Sequence, residues 1–143
     1  MRLALALSLS LLVLLMGHPA ALADEVDPAD GTAIRQIITD QLAAFARDDG
    51  TTAFSYASPT IREKFGTPEI FMDMVRSGYR PVYRASGVEF RELAVRGGVP
   101  VQAVHMIGPD GEAVIALYFM ERQPDGTWKI NGCMLTRSPD LST

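Results

Sequence analysis

The sequence predicts an α+β fold in which N-terminal helices pack on one face of a curved antiparallel β-sheet. Apolar residues recur at helical spacing up to about residue 78 and mainly at period two beyond it. Residues 112–135 have the pattern of a β-hairpin, because two runs rich in β-branched and aromatic residues flank a Gln-Pro-Asp-Gly turn. The order of helices first and strands last is typical of the α+β class.

The first arm of that hairpin, residues 113–120, is apolar on both faces. Such a strand belongs inside a sheet and requires cover on both sides. We therefore expect helices on one face, and a pocket, a partner chain or the curl of the sheet on the other.

The first 23 residues have the pattern of a secretory signal peptide. Arg2 supplies a positive charge, residues 3–16 form an apolar run, and Ala21 and Ala23 are the small residues that signal peptidase reads. The alternative is a membrane anchor, but the run is shorter than the ~18 residues of a membrane span. We expect cleavage after Ala23, export to the periplasm or the medium, and no stable membrane anchor afterwards.

The mature chain is acidic and contains one cysteine. The whole chain has 13 basic and 17 acidic residues, so the loss of Arg2 leaves 12 against 17 and a net charge of −5. This charge, without a basic tract, argues against nucleic acid and anionic lipid as partners. Cys133 has no second cysteine to pair with, and we interpret it as a buried small residue, with a reactive or intermolecular thiol as the alternative.

A polar leader is predicted over residues 24–31 and the first helix over residues 32–48. Asp30 or Thr32 is the expected N-cap, and Gly50 is expected to end the helix in the left-handed conformation. The helix carries one apolar stripe, formed by Ile34, Ile37, Ile38, Leu42 and Phe45.

Three short helical segments follow. The first covers residues 51–57. The other two begin at Ser58-Pro59 and Thr67-Pro68, where a capping residue precedes a proline, and they end at Gly66 and Gly78.

The remaining residues predict strands. Residues 81–84 are expected to form a short edge strand, because Pro81 has no N–H to donate to a neighbour. The apolar alternation of residues 88–95 changes phase near residues 91–92, which predicts a β-bulge or a sharp bend there. A further strand over residues 99–107 and the hairpin complete a domain over residues 32–137, which leaves a polar tail at 138–143.

Asp125, Gly126, Trp128 and Ile130, together with the order of elements, resemble the cystatin-like cone. Nuclear transport factor 2, the ketosteroid isomerases and the SnoaL-like cyclases share that fold. The resemblance implies a cavity between the helices and the sheet. It also implies a possible homodimer through the sheet, because many proteins of this fold pair in that way.

A second resemblance is at the level of the family. Residues 34–50, 54–84 and 116–135 resemble a bacterial secreted family catalogued as domain of unknown function 4864. The resemblance extends over nearly all of the mature chain. That family brings no established activity, substrate or catalytic residue, so no residue role is transferred from it.

The motifs of cofactor and metal chemistry do not occur in the sequence. It contains no HxH, HExxH or CxxC spacing, no glycine-rich phosphate loop and no GxSxG, so we expect no cofactor and no metal. His105, the one histidine of the mature chain, lies on an apolar strand face. It is interpreted as a core or rim residue, or alternatively as an acid or base at the floor of a pocket.

Tyr79, Arg80, Tyr83 and Arg84 surround Pro81 at the junction of helices and sheet. In a cone this junction lies near the open mouth, where the arginines would bind an anionic group and the tyrosine rings would line the site. Alternatively, the rings pack on the helices and the arginines pair with acidic residues, with Glu89 and Glu121 as the expected partners.

The first functional hypothesis is a non-catalytic binding module for a small apolar molecule or a protein, held against the strand face of Val114, Ala116, Tyr118 and Met120. The second is an isomerase or hydratase, which needs a carboxylate base beside a tyrosine or histidine. Its candidate residues are Asp40, Glu89, Tyr56, Tyr83, Tyr118 and His105, and no catalytic residue is assigned. The third is a structural protein of the cell envelope.

Overall fold

The computed structural model of the protein describes residues 25–137, so the predicted signal peptide and the tail at 138–143 lie outside the described residues. Five helices come first: α1 (Pro28–Ala46), α2 (Gly50–Ser55), α3 (Pro59–Phe65), α4 (Pro68–Gly78) and α5 (Arg80–Tyr83). Four strands follow: β1 (Gly87–Arg96), β2 (Val99–Ile107), β3 (Ala113–Arg122) and β4 (Trp128–Arg137). The α+β class is confirmed. No helix within residues 25–137 is both long enough and apolar enough to cross a bilayer.

The strands form one antiparallel sheet in the order β1-β2-β3-β4, so β3 is an internal strand as predicted. The predicted bulge in β1 lies between Phe90 and Leu93, where the register with β2 shifts. A second irregularity lies between β3 and β4. Phe119 pairs with Gly132 while Met120 pairs with Ile130, which leaves Asn131 as the extra residue.

The helices cover one face of the sheet, which we call the inner face. Its residues on β3, which are Val114, Ala116, Tyr118 and Met120, belong to the same buried cluster as Ile34, Ile38 and Phe45 of α1. The opposite residues of β3 are only half-buried and do not belong to that cluster: Ala113, Ile115, Leu117 and Phe119. Within residues 25–137, the helices therefore cover β3 on its inner face only. The opposite face of β3 lacks the cover that its apolar residues predict.

Helix α1 begins earlier than predicted, so the leader is shorter. Asp27 is the N-cap, and its carboxylate accepts a hydrogen bond from the Ala29 N–H at 2.8 Å. Pro28 occupies the first turn, where its missing N–H would be unpaired in any residue. At the other end Asp48, not Gly50, takes the positive φ of 56°. Aspartate tolerates this conformation better than most residues, and Gly50 instead begins α2.

The short helices at Ser58-Pro59 and Thr67-Pro68 are confirmed. The side chains of Ser58 and Thr67 each accept a hydrogen bond at 3.3 Å, from the N–H of Ile61 and of Ile70 respectively. Gly66 ends α3 with a φ of 78°. A side chain there would be strained, which is why glycine ends this helix.

The predicted edge strand at residues 81–84 is wrong, because this segment is the helix α5. Pro81 lies in its first turn, where the fixed φ of proline suits a helix as well as an edge strand. The Arg84 N–H donates to the Arg80 carbonyl at 3.0 Å. In this helix Val82 is buried in the core.

Candidate functional site: an apolar pocket between helices and sheet

A pocket of about 420 Å³ lies between the helices and the inner face of the sheet. Its lining comes from α1, α3, α4, α5, β3 and β4, with Ala57 between α2 and α3. The lining residues are mainly apolar: Gln41, Phe45, Ala57, Ile61, Lys64, Phe65, Phe71, Met74, Val75, Tyr79, Val82, Tyr118, Ile130, Asn131, Gly132 and Cys133. Such a lining suits a small apolar molecule.

The wall formed by β4 is held in place by the segment between α2 and α3. The Ile130 N–H donates to the Tyr56 carbonyl at 2.9 Å, and the Ser58 N–H donates to the Ile130 carbonyl at 2.9 Å. The Ser58 hydroxyl is also 2.7 Å from Oδ1 of Asn131, the extra residue of the β4 irregularity. This hydroxyl therefore links the start of α3 to the point where β4 bends along the pocket.

Three phenyl rings form the helical side of the pocket. The ring centroids of Phe45 and Phe71 are 6.1 Å apart, and those of Phe65 and Phe71 are 5.7 Å apart. Tilted and edge-on pairs at these distances are favourable arrangements of aromatic rings. The rings give this side of the pocket a fixed apolar surface.

Tyr118 lines the pocket and carries a buried hydroxyl. The residue is 1% exposed, and its hydroxyl has no hydrogen-bond partner among residues 25–137. A buried donor left without a partner costs about 1–3 kcal/mol. Burial raises the pKa of Tyr118 well above its ordinary value, so the hydroxyl remains protonated at neutral pH.

Cys133 and Tyr79 are further polar residues of the lining. Burial raises the pKa of the Cys133 thiol to about 12, which keeps this thiol neutral and unreactive. The Tyr79 hydroxyl donates to the Cys133 carbonyl at 2.9 Å, and burial raises the pKa of Tyr79. The one charged lining residue is Lys64, whose side chain is exposed. The interior of the pocket is therefore uncharged.

Of the six candidate ligand-binding residues, the structure brings Tyr79 and Tyr118 together in this pocket. Arg80 points elsewhere and pairs with Asp110 at 3.5 Å, with its side chain 63% exposed. His105 lies on the other face of the sheet, which we call the outer face, between Glu89 of β1 and Ile115 of β3. It has no access to the pocket.

Tyr83 and Arg84 fasten the end of α1 to α5. The Arg84 guanidinium donates to the Phe45 carbonyl at 2.5 Å and to the Asp48 carboxylate at 2.8 Å. The Tyr83 hydroxyl donates to the same carboxylate. This hydrogen bond, followed by the interactions with Arg84 and Arg76, lowers the pKa of Asp48. Arg84 therefore pairs with Asp48, and Arg80 pairs with Asp110. Neither arginine pairs with the expected Glu89 or Glu121.

The carboxylates considered for isomerase chemistry lie outside the pocket. Asp40 accepts a hydrogen bond from Gln36 at 2.8 Å on an exposed part of α1, and Glu89 pairs with Arg91 at 3.1 Å. Among the residues that line the pocket there is no Asp, Glu or His. Across residues 25–137, no group of three or more metal-ligating side chains is close enough to hold an ion.

Sequence reasoning did not select Gln41, Ile61, Phe65 or Met74 as site residues. Gln41 did carry a signal, because it is a polar residue within the apolar stripe of α1, seven positions after Ile34 and three after Ile38. It is 4% exposed, and its Nε2 donates to the Ala53 carbonyl at 3.2 Å. The three apolar residues carry no such signal, because in the sequence they are indistinguishable from core residues.

Comparison with known proteins identifies one family model that matches the chain. A family model described as Domain of unknown function (DUF4864) matches residues 27–143. Neither the curated proteins nor the solved structures include a match to the chain. The family match covers well over half of the sequence and includes every helix and strand described above. On this evidence the chain belongs to the DUF4864 family.

Proposed function

We propose that this protein is an exported, non-catalytic binding module that holds a small apolar molecule in the pocket between its helices and its sheet. The principal support is the pocket of about 420 Å³, whose walls are mainly apolar and whose interior polar groups are uncharged. Its volume lies within the range of small-molecule sites, roughly 300–1,000 Å³. The signal-peptide pattern of residues 1–23 supports export.

The chemistry of the lining favours binding over catalysis. Isomerases and hydratases move protons with a carboxylate or an imidazole poised near neutral pH. The ionisable groups in the interior of this pocket are tyrosine hydroxyls and a thiol instead, and burial raises the pKa of Tyr79, Tyr118 and Cys133. None of these groups takes a proton readily at pH 7. A bound molecule is therefore expected to leave unchanged.

Two isoleucine variants test the proposal. Ile61 lines the pocket, whereas Ile70 is 54% exposed on α4 and is not a lining residue. We expect an environment-sensitive apolar dye to bind the mature protein saturably, and Ile61→Trp to weaken this binding at least about tenfold by filling the pocket. Ile70→Trp is the matched control and is expected to bind as the wild type does. Equal dye binding by both variants would contradict the proposal.

A second candidate function is self-association through the outer face of the sheet. This face carries the half-buried apolar side chains of Ala103, Ile107, Ile115, Leu117 and Phe119, with His105 of β2 among them. No helix among residues 25–137 covers it, and Met134 beside Leu117 is 50% exposed. The same patch on a second copy of the chain would bury both surfaces, as two-fold dimers do.

Leu117→Glu tests this second candidate, because it places a charge in the middle of the outer face. We expect the wild type to sediment as a dimer at micromolar concentration and Leu117→Glu to sediment as a monomer. Val88→Glu is a suitable control, since Val88 is 45% exposed and pairs with Met106, away from that surface. A wild type that is monomeric at all concentrations tested would exclude self-association.

A further inference from the structure

The pocket has a chemical preference that follows from one buried hydroxyl of its lining, which has no hydrogen-bond partner among residues 25–137. We propose that the molecule it binds is uncharged and presents a single hydrogen-bond acceptor, such as a ketone, ester or ether oxygen, to the hydroxyl of Tyr118. This inference rests on the proposed function and states which class of apolar molecule fits best.

The first argument is the state of the hydroxyl. Within residues 25–137, the Tyr118 hydroxyl and Oε1 of Gln102 are the only two buried side-chain polar atoms without a hydrogen-bond partner. Of these two residues only Tyr118 lines the pocket. An acceptor that reaches the hydroxyl would relieve an unmade hydrogen bond, which is worth more than adding a bond to a satisfied group.

The second argument is the charge of the surroundings. The one cation of the lining, Lys64, is exposed, and its Nζ lies 5.7 Å from the centroid of the Phe65 ring. The other lining residues carry no charge, so an ionised carboxylate entering the interior would lose its hydration without gaining a counter-ion. An uncharged acceptor avoids that loss.

The third argument is that the other pocket hydroxyl is already used. Tyr79 donates its O–H to the Cys133 carbonyl at 2.9 Å. A ligand acceptor would have to break this bond to use Tyr79, whereas Tyr118 has no bond to break. This comparison selects Tyr118 over Tyr79 as the group that positions the ligand.

Three probes of one shape test the inference: butylbenzene, which has no acceptor, butyrophenone, which has a ketone, and 4-phenylbutyrate, which has a carboxylate. Dissociation constants are measured at pH 7 by calorimetry or by NMR titration of the mature protein. We expect butyrophenone to bind about tenfold more tightly than butylbenzene and also more tightly than 4-phenylbutyrate. The ratio of the first two constants is expected to fall to about one in Tyr118→Phe. It is expected to stay near ten in Tyr56→Phe, since Tyr56 does not line the pocket.

The results distinguish a failure of the acceptor preference from a failure of the proposed binding function. If butylbenzene binds but the ketone has no advantage, or if the carboxylate binds most tightly, the acceptor preference is wrong and the binding function stands. A preference for the ketone that survives in Tyr118→Phe also overturns the assignment to Tyr118. If none of the three probes binds, the proposed function fails and the preference fails with it.

Discussion

Gln102 of β2 and Tyr118 of β3 lie opposite each other on the inner face of the sheet, and each keeps a buried side-chain oxygen without a hydrogen-bond partner among the described residues. Their remaining contacts differ. The Gln102 amide nitrogen lies within hydrogen-bond distance of three carbonyls, whereas the Tyr118 hydroxyl makes no bond among these residues. The first residue is thus structural, whereas the second has a hydrogen-bond donor that the described residues do not use.

Tyr118→Phe is expected to leave the stability of the unliganded protein within about 0.5 kcal/mol of the wild type or to raise it, because it removes a buried donor that has no partner. Tyr79→Phe is the matched comparison and is expected to lower the free energy of unfolding by about 1 kcal/mol, since it removes the bond to Cys133. Urea denaturation of both variants measures the difference. A larger loss for Tyr118→Phe than for Tyr79→Phe would show that the Tyr118 hydroxyl has a partner.

Gln102→Leu is expected to lower the free energy of unfolding by about 1–2 kcal/mol. The amide nitrogen lies 3.0 Å from the carbonyl of Arg91 and 3.3 Å from that of Glu92, the two residues of the β1 bulge, and the variant leaves these carbonyls unpaired. Gln36→Leu on the exposed side of α1 is the control and is expected to change stability by less than about 0.5 kcal/mol. Equal effects in the two variants would contradict a structural role for Gln102 at the bulge.

Tyr83→Phe is expected to raise the pKa of Asp48, because the Tyr83 hydrogen bond is the largest cause of its lowering. The folded-state pKa of Asp48 lies below that of the unfolded chain, so its contribution to stability is complete above about pH 4 and is lost as the pH falls through the folded-state value. Carboxyl chemical shifts followed by NMR during an acid titration measure the change.

Asp49 provides an internal control in the same titration. Its pKa is lowered mainly by hydrogen bonds from Thr52 and not by Tyr83. We expect the Asp49 curve to stay where it is in Tyr83→Phe while the Asp48 curve moves to higher pH. Coincident shifts of the two curves would point to a general change at the end of α1 instead.

Cys133 is expected to react slowly with a soluble disulfide reagent in the native protein. With a pKa of about 12, its thiolate fraction at pH 8 is smaller than that of an ordinary cysteine by a factor of about 10³. The reaction is expected to recover the ordinary rate in denaturant. Rapid labelling of the native protein at pH 8 would show an exposed or activated thiol.

The strands were predictable in detail because each is long and its alternation is visible in the sequence. The prediction for residues 99–107 has the bounds of β2, and the phase change in β1 revealed its bulge. Helix α5 was not predictable, since Pro81 is compatible with a helix start and with an edge strand. Its conformation depends on the burial of Val82 and on the contacts of Arg84 with Phe45 and Asp48.

The pocket was predictable only in part. Tyr79 and Tyr118 were selected as site residues, and both line it. Residues 113–120 of β3 are equally apolar on both faces, so the sequence could not show that the helices cover the face of Tyr118 and leave that of Leu117 open. A cavity also depends on how closely α3 and α4 approach β4, and no local pattern records that distance.

The most direct test of the proposed pocket is to locate the site at which butylbenzene binds, by following methyl chemical shifts of the mature protein. We predict saturable shifts for the methyl groups of Met74, Val75 and Val82, which line the pocket, and none for Ile115 on the outer face. Shifts confined to Ile115 and its neighbours, or no saturable shift at any methyl group, would contradict the account.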